Sequence, residues 1–202
     1  MFKCVCAFAL LLSAPAAAVA APAEGPTPLL TPRDLFSLQV ASDPQISPDG
    51  SRIAYVRRSG DIMTDRMRPS IWLIDTRTGK EMPIAAGPGA HSQPRWSPDG
   101  RRLAYVSTAG GEARQLFVRW MDSGESVRIT GLPTSPSAIS WSPDGRRIAY
   151  SMFVPDEGIK LGKTEAKPEG ATWAEPLQVI TAVTYRFDGQ GYLKPGYDKI
   201  FV

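Results

Sequence analysis

The chain has 202 residues, of which 43% are hydrophobic and 21% are charged. This composition is typical of a folded globular protein and excludes a disordered tail or a collagen-like fibre. The 18 glycines and 19 prolines favour turns over long helices. The net charge is +3, and the basic residues are scattered singly or in pairs. The sequence therefore lacks the concentrated basic face that a nucleic-acid partner would require.

The first twenty residues have the three-part pattern of a secretory signal peptide. Lys3 precedes an apolar run over 5–12, and the segment ends in the small residues 18–20 (Ala-Val-Ala). The apolar run is too short for a membrane-spanning helix, which needs about 20 residues. A buried N-terminal helix is the alternative, but Pro15 and the alanine cluster favour a cleavage site. We predict a signal peptide over 1–20, cleaved after its last alanine.

Both cysteines, Cys4 and Cys6, lie inside this leader. The processed chain would then have no thiol, which excludes disulfides, a thiolate nucleophile and a cysteine-ligated metal. Ala20 and Ala21 stand where a lipoprotein would need its anchoring cysteine. We therefore expect an exported protein, periplasmic or extracellular, with no membrane anchor after cleavage.

One phrase occurs three times in the rest of the chain, at 46–55 (ISPDGSRIAY), 96–105 (WSPDGRRLAY) and 141–150 (WSPDGRRIAY). The spacings of 50 and 45 residues are typical of propeller blades. Within each phrase, proline presets the backbone for a turn and glycine supplies its left-handed residue, so the phrase predicts a β-hairpin.

The residues around each turn predict short strands. After the first turn, Ile53 and Tyr55 alternate with Arg52 and Ala54, a period of two that predicts a strand buried on one face. Counting the strand that leads into each turn, every repeat supplies about four strands, the content of one blade. The further strands are predicted at 71–74, 82–85, 116–120 and 126–130.

The two ends of the array differ from the repeat. Thr31 is predicted to cap a short helix that precedes the first blade, with Pro32 at its first position. The third repeat carries an insertion near 154–175, rich in Lys, Glu, Gly and Pro, and strand character returns over 177–186. A last apolar strand is predicted at 199–202.

These observations predict an all-β fold: a partial β-propeller of four-stranded antiparallel blades with one short N-terminal helix. The predicted organisation is a signal peptide over 1–20, a linker and short helix over 21–42, and about three and a half to four blades over 43–202. Because the sequence stops inside an apolar strand, we expect the propeller to be incomplete.

The segments 31–58 (TPRDLFSLQVASDPQISPDGSRIAYVRR) and 183–202 (VTYRFDGQGYLKPGYDKIFV), together with the WSPDG phrases, resemble a known family. They are similar to the N-terminal propeller of secreted bacterial prolyl oligopeptidase-family serine peptidases, in the acylaminoacyl-peptidase and dipeptidyl-aminopeptidase branch. The resemblance implies a propeller that restricts the access of peptide substrates to a C-terminal α/β-hydrolase domain. TolB-type periplasmic propellers share the SPDG repeat, so a non-enzymatic module that binds a protein partner is the alternative.

The sequence itself offers no catalytic site. A hydrolase of this class needs its serine in a Gly-x-Ser-x-Gly elbow, and no such pentapeptide occurs. The single histidine, His91, precedes the second repeat and is interpreted as an ordinary loop residue. We therefore expect no catalytic residue in this chain, whereas the resemblance implies a serine-type peptidase for the longer parent protein.

Metal and cofactor sites are not predicted either. Asp49, Asp99 and Asp144 recur once per repeat, each in its own hairpin, so they are expected to hold their turns rather than to converge on a metal. The glycine pairs at 87–89 and 110–111 lack the Lys-Ser/Thr that completes a phosphate loop.

The repeated large side chains have a structural interpretation. Trp96 and Trp141 stand at the same place in successive repeats. Packing of blade against blade is favoured over ligand stacking for them. The arginine pairs that follow the turns, 101–102 and 146–147, are expected to be solvated hairpin charges.

Overall fold

The fold is taken from a computed structural model that describes residues 29–111, 113–157, 159, 162, 165–174, 179–189 and 191–202. The predicted signal peptide, with Cys4 and Cys6, lies outside the described residues. All the elements below belong to the unit Arg33–Val202, which is distinct from Met1–Pro32.

Two four-stranded antiparallel sheets follow one another along the chain, each with its strands in sequence order. The first blade is formed by β1 (Gln39–Ile46), β2 (Arg52–Asp61), β3 (Arg66–Asp75) and β4 (Glu81–Ala85). The second blade is formed by β5 (His91–Trp96), β6 (Arg102–Ser107), β7 (Gln115–Trp120) and β8 (Ser126–Arg128).

The third blade is a sheet of three strands in the order β13-β10-β9. Its strands are β9 (Pro136–Trp141), β10 (Ile148–Pro155) and β13 (Gly196–Phe201), and a two-stranded hairpin of β11 (Arg186–Phe187) and β12 (Gly191–Tyr192) stands before β13 in the chain. These three sheets and one short helix confirm the predicted all-β, partial propeller architecture.

The short helix begins later than the sequence indicates. Helix α1 spans Asp34–Ser37, and its N-cap is Arg33, which makes no side-chain capping hydrogen bond. The predicted cap at Thr31 is therefore wrong. Leu38 is already extended and β1 starts at Gln39, within the range assigned to the linker. The adjacent strand leaves room for barely one helical turn.

The insertion in the third repeat contains less strand than predicted. Among the described residues between 156 and 185 there is neither helix nor strand. The strand predicted over 177–186 is wrong in its described part, since β11 begins only at Arg186. Ile180 and Val183 are exposed. Within the described residues 179–185, apolar character produced no strand because none of the described strands pairs with them.

The second strand of each complete blade is buried on both faces. Ala54, Tyr55 and Val56 are consecutive buried residues in β2, and the same holds for the whole of 103–107 in β6. The prediction of a strand buried on one face is therefore wrong. The blades stack face to face, so neighbouring blades cover both faces of β6. In β2, blade two covers the Ala54 face, whereas on the opposite face the Arg57 guanidinium lies 5.5 Å from the Tyr55 ring centre.

Two hydrophobic clusters fill the spaces between the blades. In each of them, a small alanine of one blade faces large side chains of the next. Between blades one and two lie Ala54, Ile71, Leu73, Ala85, Leu103 and Tyr105, with Trp96 and Phe117 packed against them. Between blades two and three lie Ala104, Val106, Leu116, Val118 and Ile139, with Trp141, Ile148 and Tyr150 packed against them.

The alanine faces set the spacing of the blades, which predicts a large effect of added volume. Ala104→Leu is expected to lower the free energy of unfolding by about 1–3 kcal/mol because the fully buried site has no room for three more carbons. The exposed Ala174→Leu, measured in the same urea titration, is expected to change it by less than about 0.5 kcal/mol. Equal effects of the two substitutions would contradict the packing described above.

Candidate functional site

The three Ser-Pro-Asp-Gly turns have the same geometry. In each, the glycine N–H donates to the serine carbonyl at 2.8 to 2.9 Å. The turn glycines Gly50, Gly100 and Gly145 have φ values of +70°, +68° and +66°. Glycine is required there because this left-handed backbone is strained for other residues.

The turn aspartates are used locally. Asp49 Oδ1 accepts a hydrogen bond from the Ser47 hydroxyl at 2.6 Å and from the Ser51 N–H at 3.1 Å. The bonds from Ser47 and Ser51 lower the pKa of Asp49 to about 2. Asp99 and Asp144 accept the equivalent bonds, which lower the pKa of each. The structure thus shows the predicted turn-holding role of these three carboxylates.

Successive turns lie against one another in a row, here called the turn rim. A Cβ on Gly100 would lie 3.4 Å from Pro48 Cδ, and one on Gly145 would lie 3.5 Å from Pro98 Cδ. The proline of each turn therefore covers the glycine of the next. Beside the rim, a groove of about 790 Å³ is lined by residues of both charge signs: Asp49, Arg52, Asp99, Arg101 and Asp122, with Pro48, Gly100 and Met121.

Each tryptophan that precedes a turn is bound by the preceding blade in a contact that we call the tryptophan clasp. Trp96 Nε1–H donates to the Gln45 carbonyl at 2.9 Å, and the Arg52 guanidinium lies 5.2 Å from the Trp96 ring centre. Such a cation over an indole ring is attracted by the ring's quadrupole. The clasp joins a hydrogen bond to a cation–π contact.

The second clasp repeats these contacts one blade later. Trp141 Nε1–H donates to the Arg95 carbonyl at 3.0 Å, and Arg102 lies 4.9 Å from the ring centre while donating to the Gly145 carbonyl at 2.9 Å. Blade-against-blade packing of both tryptophans is thereby confirmed. The interpretation of Arg102 as a solvated charge is wrong, because its guanidinium lies on the neighbouring blade; Arg101, Arg146 and Arg147 are exposed as expected.

The first strands of the blades are linked by an ion pair at a bulge. Arg95 Nη1 donates to both Asp43 carboxylate oxygens at 2.9 Å, and Gln45 Nε2 donates to Asp43 Oδ1 at the same distance. The bulge recurs in every blade, with a positive φ at Asp43, Gln93 and Ala138. A positive φ costs conformational free energy in a non-glycine residue. Because the same bulge occurs in all three blades despite that cost, we interpret it as a regular part of the blade structure.

His91 is a buried strand residue and not the loop residue expected from the sequence. It begins β5 and is 5% exposed. Its Nδ1 lies 2.9 Å from the hydroxyl of Ser107, which is fully buried and which also accepts the Ala109 N–H. Its Nε2 lies 3.4 Å from the Gly87 carbonyl.

These contacts determine what the Ser107–His91 pair can do. The Gly87 carbonyl can only accept, which assigns the ring proton to Nε2 and leaves Nδ1 to accept a hydrogen bond from the Ser107 hydroxyl. Burial lowers the pKa of His91 below its ordinary value of 6.5. The Ser107 hydroxyl and the His91 imidazole are both buried, so the pair links β5 to β6 within the second blade. A substrate could not reach the serine as a nucleophile in this arrangement.

Several of these partners were missed because they are distant in sequence. In the sequence, Arg52 and Arg102 look like ordinary polar residues of a hairpin. Their contacts with tryptophan can be recognised only when the next blade is in place. Asp43 and Arg95 form an ion pair although they lie in successive repeats, 52 residues apart. Aligning the residues before each turn would have revealed one signal, since Ser42, Ser92 and Ser137 occupy equivalent positions just before the bulge.

Within the described ranges, no group of three or more His, Cys, Asp or Glu side chains is arranged to hold a metal ion. No helix in the part of the chain that the structure describes is long and apolar enough to cross a membrane.

The repeated blades, clasps and turn rim define a β-propeller module. The family model of the TolB beta propeller domain matches residues 35–155, which is more than half of the chain. The chain belongs to this family of propeller domains.

A relative with a peptidase name extends the match. The chain is 35% identical over 172 residues to a Bacillus subtilis (strain 168) protein named "Uncharacterized peptidase YuxL". The match covers 85% of this chain but 26% of the relative, so the chain spans about a quarter of the length of this curated protein.

Solved peptidase structures share the fold. An acylaminoacyl peptidase from Pyrococcus horikoshii superposes with a TM-score of 0.56 at 19% identity, covering 78% of this chain and 22% of that one. An acylaminoacyl peptidase in complex with Z-Gly-Gly-Phe-chloromethyl ketone superposes with a TM-score of 0.58 at 18% identity, covering 83% and 23%. Together with the relative, these matches confirm the resemblance to peptidase propellers.

The tryptophan clasp predicts different effects at two tryptophans. Trp141→Phe retains a ring but loses the N–H donor and weakens the attraction to Arg102, so the free energy of unfolding is expected to fall by about 1–2 kcal/mol. Trp120→Phe, at a partly exposed position without a clasp, is the matched control, expected to fall by less than about 0.5 kcal/mol. Urea denaturation measures both values, and a Trp141 effect no larger than the control would refute the clasp.

The lowered pKa of His91 predicts a pH dependence of stability. Below pH about 6.5, His91 binds a proton more readily in the unfolded chain than in the folded chain. The contribution of His91 to the free energy of unfolding is therefore fully present above pH about 6.5, and it is lost as the pH falls towards the lower pKa of the folded state. His91→Gln removes the single histidine, and stability should then be flat between pH about 7 and 5. The pKa values of the turn carboxylates Asp49 and Asp99 are lowered from their ordinary value of 3.8 by hydrogen bonds, which takes them further from this pH range. An unchanged slope in the variant, measured by denaturant titration, would show that another group is responsible.

Proposed function

We propose that this chain is the non-catalytic propeller portion of an exported serine peptidase of the prolyl oligopeptidase family. In the proposed parent protein, the propeller controls which peptides reach a C-terminal α/β-hydrolase domain. The observation that carries the proposal is the 35% identity, over 172 residues, with a protein named as a peptidase that is about four times as long as the match.

The proposed organisation follows the sequence and the strand order. Residues 1–20 act as the export leader and 21–42 as the linker with α1, while 43–202 supply the blades and the insertion near 154–175. The first blade strand starts slightly earlier, at Gln39. Export to the periplasm or the exterior rests on the charged, apolar and small-residue pattern of the leader.

The blades have the mechanical properties that an access filter needs. Each pair is joined by an apolar cluster, a tryptophan clasp and, between the first two, the Asp43–Arg95 ion pair. We expect these contacts to keep the blades, and the turns along the turn rim, in fixed positions relative to one another. A rigid ring excludes folded proteins by size and admits short peptides, and peptides are the substrate class proposed for the parent.

A binding module of the TolB type is the second candidate function. It is favoured by the match to the TolB beta propeller domain and by the charged groove beside the turn rim. The gene distinguishes the two: a Gly-x-Ser-x-Gly elbow encoded beyond residue 202 supports the peptidase, and a stop codon after a few more blades supports the binding module.

The peptidase proposal predicts that activity resides outside these 202 residues. The chain alone should hydrolyse neither aminoacyl nor dipeptidyl chromogenic substrates and should not react with a fluorophosphonate, because the Ser107–His91 pair is buried. Protein made from the complete gene should do both. Labelling of the chain alone would reveal a nucleophile in it, and an unreactive complete protein would refute the peptidase.

Access control predicts a change in substrate size selection. In the complete protein, Trp141→Phe should raise cleavage of an unfolded polypeptide such as casein relative to a dipeptidyl substrate, since it loosens the ring. Trp120→Phe is the control. An unchanged ratio in both variants would mean that the propeller does not select substrates by size.

A further inference from the structure

The hairpin of β2 and β3 is longer than the equivalent hairpin of blade two. Strands β6 and β7 are 6 residues long and pair along their whole length, whereas β2 and β3 are 10 residues long and also pair throughout. The additional pairs run from Arg58–Pro69 to Asp61–Arg66. The end of this hairpin therefore has no counterpart among the described strands of blade two.

One side of β3 lacks a strand partner along these additional pairs. Strand β4 pairs with β3 only from Ile71 to Ile74. Residues 66–70 of β3, here called the edge segment, therefore lie beside β2 alone among the described strands. A bare strand edge presents backbone N–H and C=O groups with which another extended chain can pair.

The orientation of these backbone groups follows from the other end of the strand. Asp75 N–H donates to the Lys80 carbonyl at 3.0 Å, on the side of β4. The pairing of β3 with β2 is uninterrupted, so alternate residues of β3 point to the same side. Met67 and Pro69 therefore face the open side. They offer one N–H and two carbonyl groups there, because proline has no N–H.

A cavity of about 380 Å³ adjoins the edge segment. Its lining includes Arg68, Ser70 and Trp72, which alternate along β3 and so share one face of the sheet. The Trp72 Nε1–H is used within the wall, where it donates to the Ser70 hydroxyl at 3.0 Å. Gly87, in the loop after β4, also lines the cavity, and nothing lies within 4 Å of a Cβ built on it. The cavity therefore has room for an apolar side chain beside the indole.

The charges around the edge segment favour an acidic partner. Arg58, Arg66 and Arg68 are all exposed. Of the two nearby acids, Asp61 accepts hydrogen bonds from a backbone N–H and a hydroxyl of the hairpin turn, whereas Asp65 is exposed. A second copy of the chain would bring the same arginines against these, and like charges across a strand pair are destabilising. An acidic strand would be attracted instead.

We propose that the edge segment and its cavity bind an extended acidic peptide segment by strand addition. An antiparallel partner places an apolar side chain opposite Ser70, in the cavity beside Trp72, and acidic side chains opposite Arg68 and Arg66. The inference goes beyond the function proposed above and does not depend on it, since strand addition serves a peptidase propeller and a binding module alike.

A designed peptide tests the proposal. The probe, fluorescein-Thr-Leu-Thr-Glu-Thr-Glu-Thr-amide, carries its leucine and both glutamates on alternate residues, and threonine favours the extended conformation. Fluorescence anisotropy should show saturable binding to the chain. The scrambled peptide Thr-Glu-Glu-Thr-Thr-Leu-Thr, labelled in the same way, places its glutamates on opposite faces and should bind about tenfold more weakly, equivalent to about 1.4 kcal/mol. Absence of binding, or equal binding of both peptides, would overturn the proposal.

N-methylation distinguishes strand addition from binding through side chains alone. In the antiparallel register, the two central threonines lie opposite Pro69 and Met67 and direct their N–H groups at β3, whereas the glutamate N–H groups point away. Methylating both threonine nitrogens should abolish binding, and methylating both glutamate nitrogens should preserve it. Equal losses from the two modifications would contradict backbone pairing.

Charge substitutions in the chain identify the surface. Arg66→Gln and Arg68→Gln together should weaken binding of the probe about tenfold, because each removes a cross-strand partner of a glutamate. The matched control is Arg128→Gln, at an exposed arginine of β8, which should leave binding unchanged. The same loss in the control would mean that general charge attraction, and not the edge segment, binds the peptide.

A second pair of variants examines the cavity. Gly87→Leu should fill it and abolish binding of the probe, whereas Gly131→Leu, where an added Cβ also meets nothing within 4 Å, should have no effect. Circular dichroism melts establish that each variant is folded before titration. Unchanged binding by folded Gly87→Leu would overturn the proposal. Self-association of the wild-type chain that Met67→Pro abolishes would make a second copy the occupant and would overturn it as well.

Discussion

Face-to-face contact between blades is the constraint on which the rest of the structure depends. A four-stranded sheet of this size cannot bury both of its faces by itself, and here blades one and two are each covered by the blade that follows. Ala54 and Ala104 provide the flat surfaces, and the large residues of the following blade fill the space above them. The apolar clusters fill the space between the blades, and each clasp joins one tryptophan to the blade before it.

The clasp works because one residue serves two partners. Arg102 lies over the Trp141 ring and also donates to the Gly145 carbonyl, so it fixes the indole and the turn behind it together. The turn is itself held by a carboxylate and a serine hydroxyl. Local turn chemistry and long-range packing therefore support the same geometry, as expected of a sequence with little frustration.

Local features of the fold could be predicted from the sequence, and features that depend on a neighbouring blade could not. The Ser-Pro-Asp-Gly phrase carries its own hydrogen-bond acceptors and its glycine, which is why the three hairpins were correctly placed. The two-sided burial of β2 was missed because a period-two pattern does not report what covers its small residues. His91 was misassigned because its partner, Ser107, lies on the neighbouring strand.

The account rests on a direct energetic link between adjacent blades, which a double-mutant cycle measures. Arg102→Met and Trp141→Phe, alone and together, give the coupling free energy between the two side chains by urea denaturation. Since the cation lies 4.9 Å from the ring centre in a half-buried setting, a favourable coupling of about 0.5–2 kcal/mol is predicted. Strictly additive effects would show that the two residues act independently and would contradict the clasp as the device that aligns the blades.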